Sequence, residues 1–127
     1  MTSHENDILK QRYRKYAESY DTCSRFSDRI RPNAIAVLDL KPGATVLDLG
    51  CGTGLSFEIL QRSVGLKGRI IGVELSPEML AVARKKVERN GWSNITLIEG
   101  DALTVDLPRP IDAVLAFFVP DILISPT

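Results

Sequence analysis

The chain has 127 residues, 44% hydrophobic and 25% charged, and its sixteen lysines and arginines are balanced by sixteen acidic side chains. A net charge of zero argues against a sequence-blind electrostatic nucleic-acid binder, and the length fits one domain with a real core. The longest strongly apolar run, 113–119, is far short of the roughly 20 residues that span a bilayer, and the polar N-terminus does not read as a signal sequence, so a soluble, cytoplasmic protein is expected. Cys23, Cys51 and the single His4 supply neither a four-ligand metal cage nor a disulfide framework, and no metal site is expected. His4 falls in the N-terminal tail, which favours a free buried thiol over a Cys-His catalytic pair.

From Leu9 onward, Tyr13, Tyr16 and Tyr20 recur at spacings of four, three and four and share one face of an amphipathic helix, with Lys10, Arg12, Arg14 and Lys15 elsewhere. That face is either a core-facing stripe or a lid over a ligand. A second helical pattern runs through Ile30, Ala34, Val37 and Leu38, with Pro32 tolerable in its first turn, and ends at Lys41-Pro42-Gly43. The pattern then changes to Thr45-Val46-Leu47-Asp48-Leu49, a short apolar, partly β-branched run of the kind that forms a buried strand. Helical spacing over 55–63 (Leu55, Ile59, Leu60) leads to a second strand at 69–73, with Gly65 and Gly68 marking the helix exit. Ser76 as N-cap and Pro77 at N1 open a third helical pattern (Met79, Leu80, Ala83, Val87) that closes at Gly91. Strands are expected at 95–98 and 111–118. The alternation predicts an α/β fold, a Rossmann-like parallel sheet with right-handed crossovers and helices on both faces. Without repeats or linkers, 1–127 reads as a single domain, with 1–41 a helical cap on a core over 42–127.

The stretch Val46-Leu47-Asp48-Leu49-Gly50-Cys51-Gly52-Thr53-Gly54 places three glycines at alternate positions between a strand and a helix. Missing side chains there let backbone N–H groups approach a ligand, and a helix N-terminus favours a negatively charged ligand group; the alternative is a tight strand-to-helix turn. Glu74 closes the second strand 20 residues after Gly54, where a carboxylate can accept from both ribose hydroxyls of a nucleotide and repels a 2′-phosphate. Glu99-Gly100-Asp101-Ala102 sets another acceptor at the carboxyl edge, where open α/β sheets bind ligands. Taken alone, Glu74 and Asp101 also read as loop acceptors or helix caps, whereas Asp48 inside a buried strand is no ordinary surface charge. The rival reading, a NAD-binding oxidoreductase domain, calls for G-x-G-x-x-G, and this loop is G-x-G-x-G followed by Leu55 and Ser56.

Over residues 43–119 these motifs resemble the class I S-adenosylmethionine-dependent methyltransferases. The glycine loop resembles the family's first motif, Val73-Glu74-Leu75-Ser76-Pro77-Glu78-Met79-Leu80 its second-strand segment, and Gly100-Asp101-Ala102 its adenine-contacting segment. The resemblance implies S-adenosyl-L-methionine as cofactor and S-adenosyl-L-homocysteine as product. It implies that Gly50, Cys51, Gly52 and Gly54 flank the methionine moiety and that Asp48 orders the loop and the amino end. Glu74 would hold the ribose, Asp101 the adenine amino group, and Leu75, Met79 and Ala102 would sandwich the ring. The lead-in from Tyr16 to Asp21, followed by a helix and Lys-Pro-Gly, is similar to small-molecule, quinone and phospholipid methyltransferases. A small-molecule or lipid acceptor is therefore expected.

A sulfonium methyl is already activated, so transfer needs alignment and a dry site, and no catalytic residue is nominated. Aromatic faces attract the sulfonium, and Tyr20 and Phe117 (or Phe118) are the candidates, with core packing as the alternative for the phenylalanines. The run Ala116-Phe117-Phe118-Val119-Pro120 lacks the Asp/Asn-Pro-Pro-aromatic motif of nucleic-acid amino methylation, and no Pro-Cys nucleophile is present, so no nucleic-acid partner is expected. The family fold orders its strands 3-2-1-4-5-7-6, whereas this chain ends nine residues after Phe118 on Ser125-Pro126-Thr127, which reads as the start of a helix. The expectation is a truncated 3-2-1-4 sheet whose strand four is an open edge prone to self-association. The competing functional class is a catalytically incompetent cofactor-binding or interaction fragment.

Overall fold

The structure, a computed structural model, describes residues 30–101 and 104–116. The tyrosine helix with Tyr13, Tyr16 and Tyr20, residues Cys23 and His4, Ala102, the far end of strand four with Phe117 and Phe118, and the closing Ser125-Pro126-Thr127 all lie outside the described residues.

Strands form where apolar runs follow glycine punctuation. β1 (Thr45–Leu49) begins after the turn at Lys41-Pro42-Gly43, β2 (Arg69–Glu74) after Gly68, and β3 (Ile95–Glu99) a few residues beyond Gly91. With β4 (Ala113–Leu115) they make a four-stranded sheet in the order β3-β2-β1-β4, every pairing parallel, as expected from the alternation. The inner strands are flanked on both sides, and their residues Val46, Ile70 and Ile71 are fully buried.

The described residues form three helices: α1 (Arg31–Ala36) before the first strand, and α2 (Phe57–Val64) and α3 (Pro77–Asn90) between strands. α3 matches its sequence signals. The Met79 N–H donates to Ser76 Oγ at 3.3 Å, Pro77 occupies the first turn, and Gly91 leaves the helix in the left-handed conformation at φ 65°. α2 starts later than the 55–63 expectation, because the glycine turn continues through Ser56; its buried residues are Phe57, Leu60 and Val64, with Leu55 and Ile59 only half-buried.

α1 corrects the sequence reading of its face. Ile30 and Val37 are 46% and 83% exposed, and the buried pair is Arg31 and Ile35. The helix turns a guanidinium inward because Ser56, at the start of α2, accepts from Arg31 Nη1 at 2.7 Å. Periodicity of apolar residues cannot register a buried charge of this kind.

The described helices share one face of the sheet, where Ile35, Leu60 and Ala83 join Val46 and Ile70 in one core. Opposite them, Leu47, Ile71 and Val73 are covered by Val105, Leu107 and Ile111 from the connection into β4. Right-handed crossovers that step from β1 to β2 to β3 in one direction place both connecting helices on the same side. Of the helices expected on both faces, those described all fall on that side. Gly72, in the middle of β2, faces the helical layer. A Cβ there would stand 3.0 Å from Cys51 Sγ and 3.1 Å from Phe57 Cζ, so the missing side chain lets the loop settle onto the sheet.

Candidate functional site

The turn leaving β1 uses its amides within the protein. The N–H groups of Gly50 and Cys51 both donate to the Val73 carbonyl, at 2.8 and 2.9 Å; Gly52 N–H donates to Glu74 Oε1 at 2.8 Å, and Gly54 N–H to the Cys51 carbonyl at 3.0 Å. The expectation that open amides approach a ligand is thereby corrected for these four positions. They are the struts of the loop, and an anion that needs N–H donors finds none among them. The three glycines hold φ of 71°, 59° and 84°, a region costly for residues with a Cβ, and at Gly54 a Cβ would also meet Phe57 ring carbons at 2.6 Å.

Glu74 is the second strut. Only 2% exposed, it accepts Gly52 N–H on Oε1 and Ser76 N–H on Oε2, the latter at 2.9 Å. Burial raises its pKa, and N–H donation from Ser76, Gly52 and Leu75 opposes that rise. A carboxylate has about four lone-pair sites, so each oxygen keeps capacity for a hydroxyl donor beside its loop contact. Leu75 is half-buried next to it, and Met79 is buried in the first turn of α3. The Gly100 N–H donates to the Glu74 carbonyl at 3.0 Å, drawing the end of β3 alongside. Half-buried Asp101 follows, its carbonyl accepting from Thr104 and Val105. The sequence candidates Asp48, Gly50, Cys51, Gly52, Gly54, Glu74, Leu75, Met79 and Asp101 thus gather at the carboxyl edge of the sheet; Tyr20, Ala102 and Phe117 lie outside the described residues.

In and around the loop lie buried polar side chains that sequence reasoning found only in part. Asp48, Thr53, Ser56 and Arg31 are 3%, 4%, 2% and 4% exposed. Among the described residues, Asp48 Oδ2 and Thr53 Oγ1 have no hydrogen-bond partner. Such atoms are uncommon in native interiors and call for an explanation. Burial pushes the Asp48 carboxyl up to about 7, with Arg31 pulling it down and Glu74 pushing it further up. The Cys51 thiol is driven well above its ordinary range by burial and then by the Asp48 and Glu74 carboxylates, which keeps it a neutral space-filler. Arg31, Ser56 and Thr53 were not singled out from sequence. The one trace of Arg31 is its four-residue spacing from Ile35, and a charged residue at such a spacing reads as solvated.

A family model described as a methyltransferase domain matches residues 46–126. The chain belongs to this family. The methyltransferase domain is of the class I S-adenosylmethionine-dependent type that its motifs resemble. It is similar to a demethylmenaquinone methyltransferase of Shouchella clausii, 33% identical over 101 residues that make up 79% of this chain and 43% of that protein. It is also similar to a 2-phytyl-1,4-naphtoquinone methyltransferase of Thermosynechococcus vestitus, 42% identical over 72 residues, 57% of this chain and 31% of the other. Among solved structures, a SAM-dependent methyltransferase from Aquifex aeolicus superposes with a TM-score of 0.61 at 28% identity, covering 74% of this chain and 50% of that one. The methyltransferase domain therefore spans less than half the length of these two curated relatives. Among the described residues, no helix is long and apolar enough to cross a membrane, and no group of three or more His, Cys, Asp or Glu is placed to hold a metal ion.

Proposed function

We propose that the domain binds S-adenosyl-L-methionine at the carboxyl edge of its sheet and transfers the methyl group to a small-molecule acceptor of quinone or lipid type, releasing S-adenosyl-L-homocysteine. The observation that carries this reading is the contrast between spent loop amides and the buried oxygens Asp48 Oδ2 and Thr53 Oγ1, which have no partner among the described residues. Such a site suits a cationic, hydrogen-bond-donating ligand end better than a pyrophosphate, and the donor's α-ammonium has that chemistry. The quinone methyltransferases among its relatives support the acceptor class.

The cofactor, when bound, supplies a methyl group already activated on a sulfonium. The chain's own residues orient it. Gly50, Cys51, Gly52 and Gly54 shape the wall against the methionine chain, and Asp48 receives its amino end. Glu74 pins the loop through Gly52 and keeps one acceptor site per oxygen for the ribose hydroxyls. Asp101 accepts from the adenine amino group between Leu75 and Ala102, with Met79 supporting the wall from α3. Tyr20 and Phe117 (or Phe118) are assigned to the sulfonium side because aromatic faces attract a sulfonium. We place the whole chain, 1–127, in one cytoplasmic domain with 1–41 as its cap.

Calorimetric titration of the full chain with S-adenosylhomocysteine, NAD as the comparison ligand and Glu74→Ala as the control, tests the assignment. Saturable binding of the adenosyl ligand alone, weakened at least tenfold in the variant, is expected; folded protein that binds NAD and not S-adenosylhomocysteine overturns it. Labelled donor with quinone-precursor, phospholipid and phenolic acceptors then separates turnover from binding without turnover.

Among the described strands β4 lies at the sheet edge, with Val114 50% exposed. We assign this edge to self-association; a clean monomer by light scattering at high concentration refutes that assignment.

A further inference from the structure

We infer that Arg31, outside the glycine-loop motif, is a positioning residue for the amino-acid end of the donor: from α1 it reaches under the loop, is anchored on Ser56, and directs a buried positive charge toward Asp48, the carboxylate that receives the α-ammonium. The inference rests on the donor assignment above and adds a residue that the loop motif does not contain.

A guanidinium that is 4% exposed requires polar and ionic compensation. One Nη1 bond goes to Ser56 Oγ at 2.7 Å, across 25 residues of sequence. The buried carboxylate acted on by that charge is Asp48. Among the described residues, the groups that act on Asp48 come from three elements. Arg31 on α1 favours its charged form, Glu74 on β2 opposes it, and Cys51 in the loop is a neutral thiol on which Lys86 of α3 also acts. Take Arg31 away, and among the described residues two buried carboxylates remain with no buried cation beside them. Asp48 then holds a proton, and a neutral carboxyl offers an ammonium no ion pair. A contact serving only stability would be expected to saturate the carboxylate, yet Asp48 Oδ2 has no hydrogen-bond partner among the described residues. Arg31 therefore supplies charge to Asp48 while one oxygen stays open for a ligand.

The test compares S-adenosylhomocysteine, which carries the α-ammonium, with 5′-methylthioadenosine, which lacks the amino-acid end. Both are titrated into the full chain between pH 5.5 and 8.5. For the wild type, affinity for S-adenosylhomocysteine rises with pH, by up to about tenfold per unit below the Asp48 midpoint, and then levels off. Affinity for 5′-methylthioadenosine stays flat. In Arg31→Met the midpoint moves up by about one unit or more, so binding of S-adenosylhomocysteine at pH 7 weakens by about fivefold or more. Binding of 5′-methylthioadenosine stays within about threefold, and Arg31→Lys restores the midpoint. Should the Met variant fail to fold, Arg31→Gln retains a donor toward Ser56 and removes only the charge; it is expected to give the same shift. An unchanged midpoint in the neutral variant, or equal weakening of both ligands, overturns the inference and leaves the donor assignment standing. A wild type that binds neither ligand overturns the donor assignment and the inference with it.

Discussion

The two edges of this sheet treat buried polar groups differently. At the amino edge, Asn94 and Gln61 exchange side-chain amide hydrogen bonds, and Asn94 Nδ2 also donates to the carbonyls of Gly65 and Gly68 at 3.2 and 3.0 Å. That cluster is closed on itself and ties the α2 exit to the entry of β3. At the carboxyl edge, Asp48 and Thr53 are buried with an oxygen each left open among the described residues. The first cluster sits at helix-to-strand junctions and is built from carboxamides; the second sits at the strand-to-helix turn after β1 and is built from a carboxylate and hydroxyls. A saturated network serves the fold, whereas buried acceptors left open carry a desolvation cost that a ligand can recover.

Substitutions that discriminate between the edges follow, from the largest effect down. Gly54→Ala introduces a Cβ at φ 84° and 2.6 Å from the Phe57 ring, and is expected to cost about 3–5 kcal/mol and abolish S-adenosylhomocysteine binding. Denaturant melts and titration check both outcomes, and full binding with wild-type stability would show that the loop tolerates repacking.

A pH effect comes next. The Asp48 pKa is raised from 3.8 to about 7, so its contribution to stability is fully present below the unfolded value and is lost as pH rises through the folded one. The ligand-free chain is expected to lose up to about 4 kcal/mol from this group between pH 4 and 8. Asp48→Asn should flatten that slope in thermal melts across the same range; an equally steep slope in the variant assigns the loss to other groups.

On the amino edge, Asn94→Ala removes the clamp and is expected to cost about 2 kcal/mol, while leaving S-adenosylhomocysteine affinity within about twofold wherever the protein is folded. A parallel loss of affinity would mean that the edges are coupled through β2. Smallest of all is Glu58→Ala. It breaks the exposed Arg62–Glu58 pair, 3.1 Å long, at a cost below about 0.5 kcal/mol, detectable as a slight shift in the urea midpoint.

Local chemistry made much of this arrangement legible. Ser76-Pro77 and Gly91 set the limits of α3, apolar runs between glycines mark β1 to β3, and as read Asp48 lies within β1, Glu74 closes β2 and Asp101 follows β3. Misreadings occurred where tertiary contact overrides periodicity. The α1 stripe through Ile30 and Val37 faces outward because Ser56 draws Arg31 inward, and the start of α2 moves to Phe57 because the glycine turn runs longer than its motif. Loop amides that seemed open are closed by Val73 and Glu74, residues about 20 positions away.

Sequence alone determined the class of fold, because strand periodicity, caps and glycine spacing are encoded over a few neighbouring residues, and its motifs, by their resemblance to a known family, carried the strand order and the family. Only the tertiary structure decided which polar atoms are satisfied. That depends on groups brought together across tens of residues, as Arg31 meets Ser56 and Glu74 meets Gly52, and on burial, which turns an ordinary aspartate into a carboxyl titrating near 7.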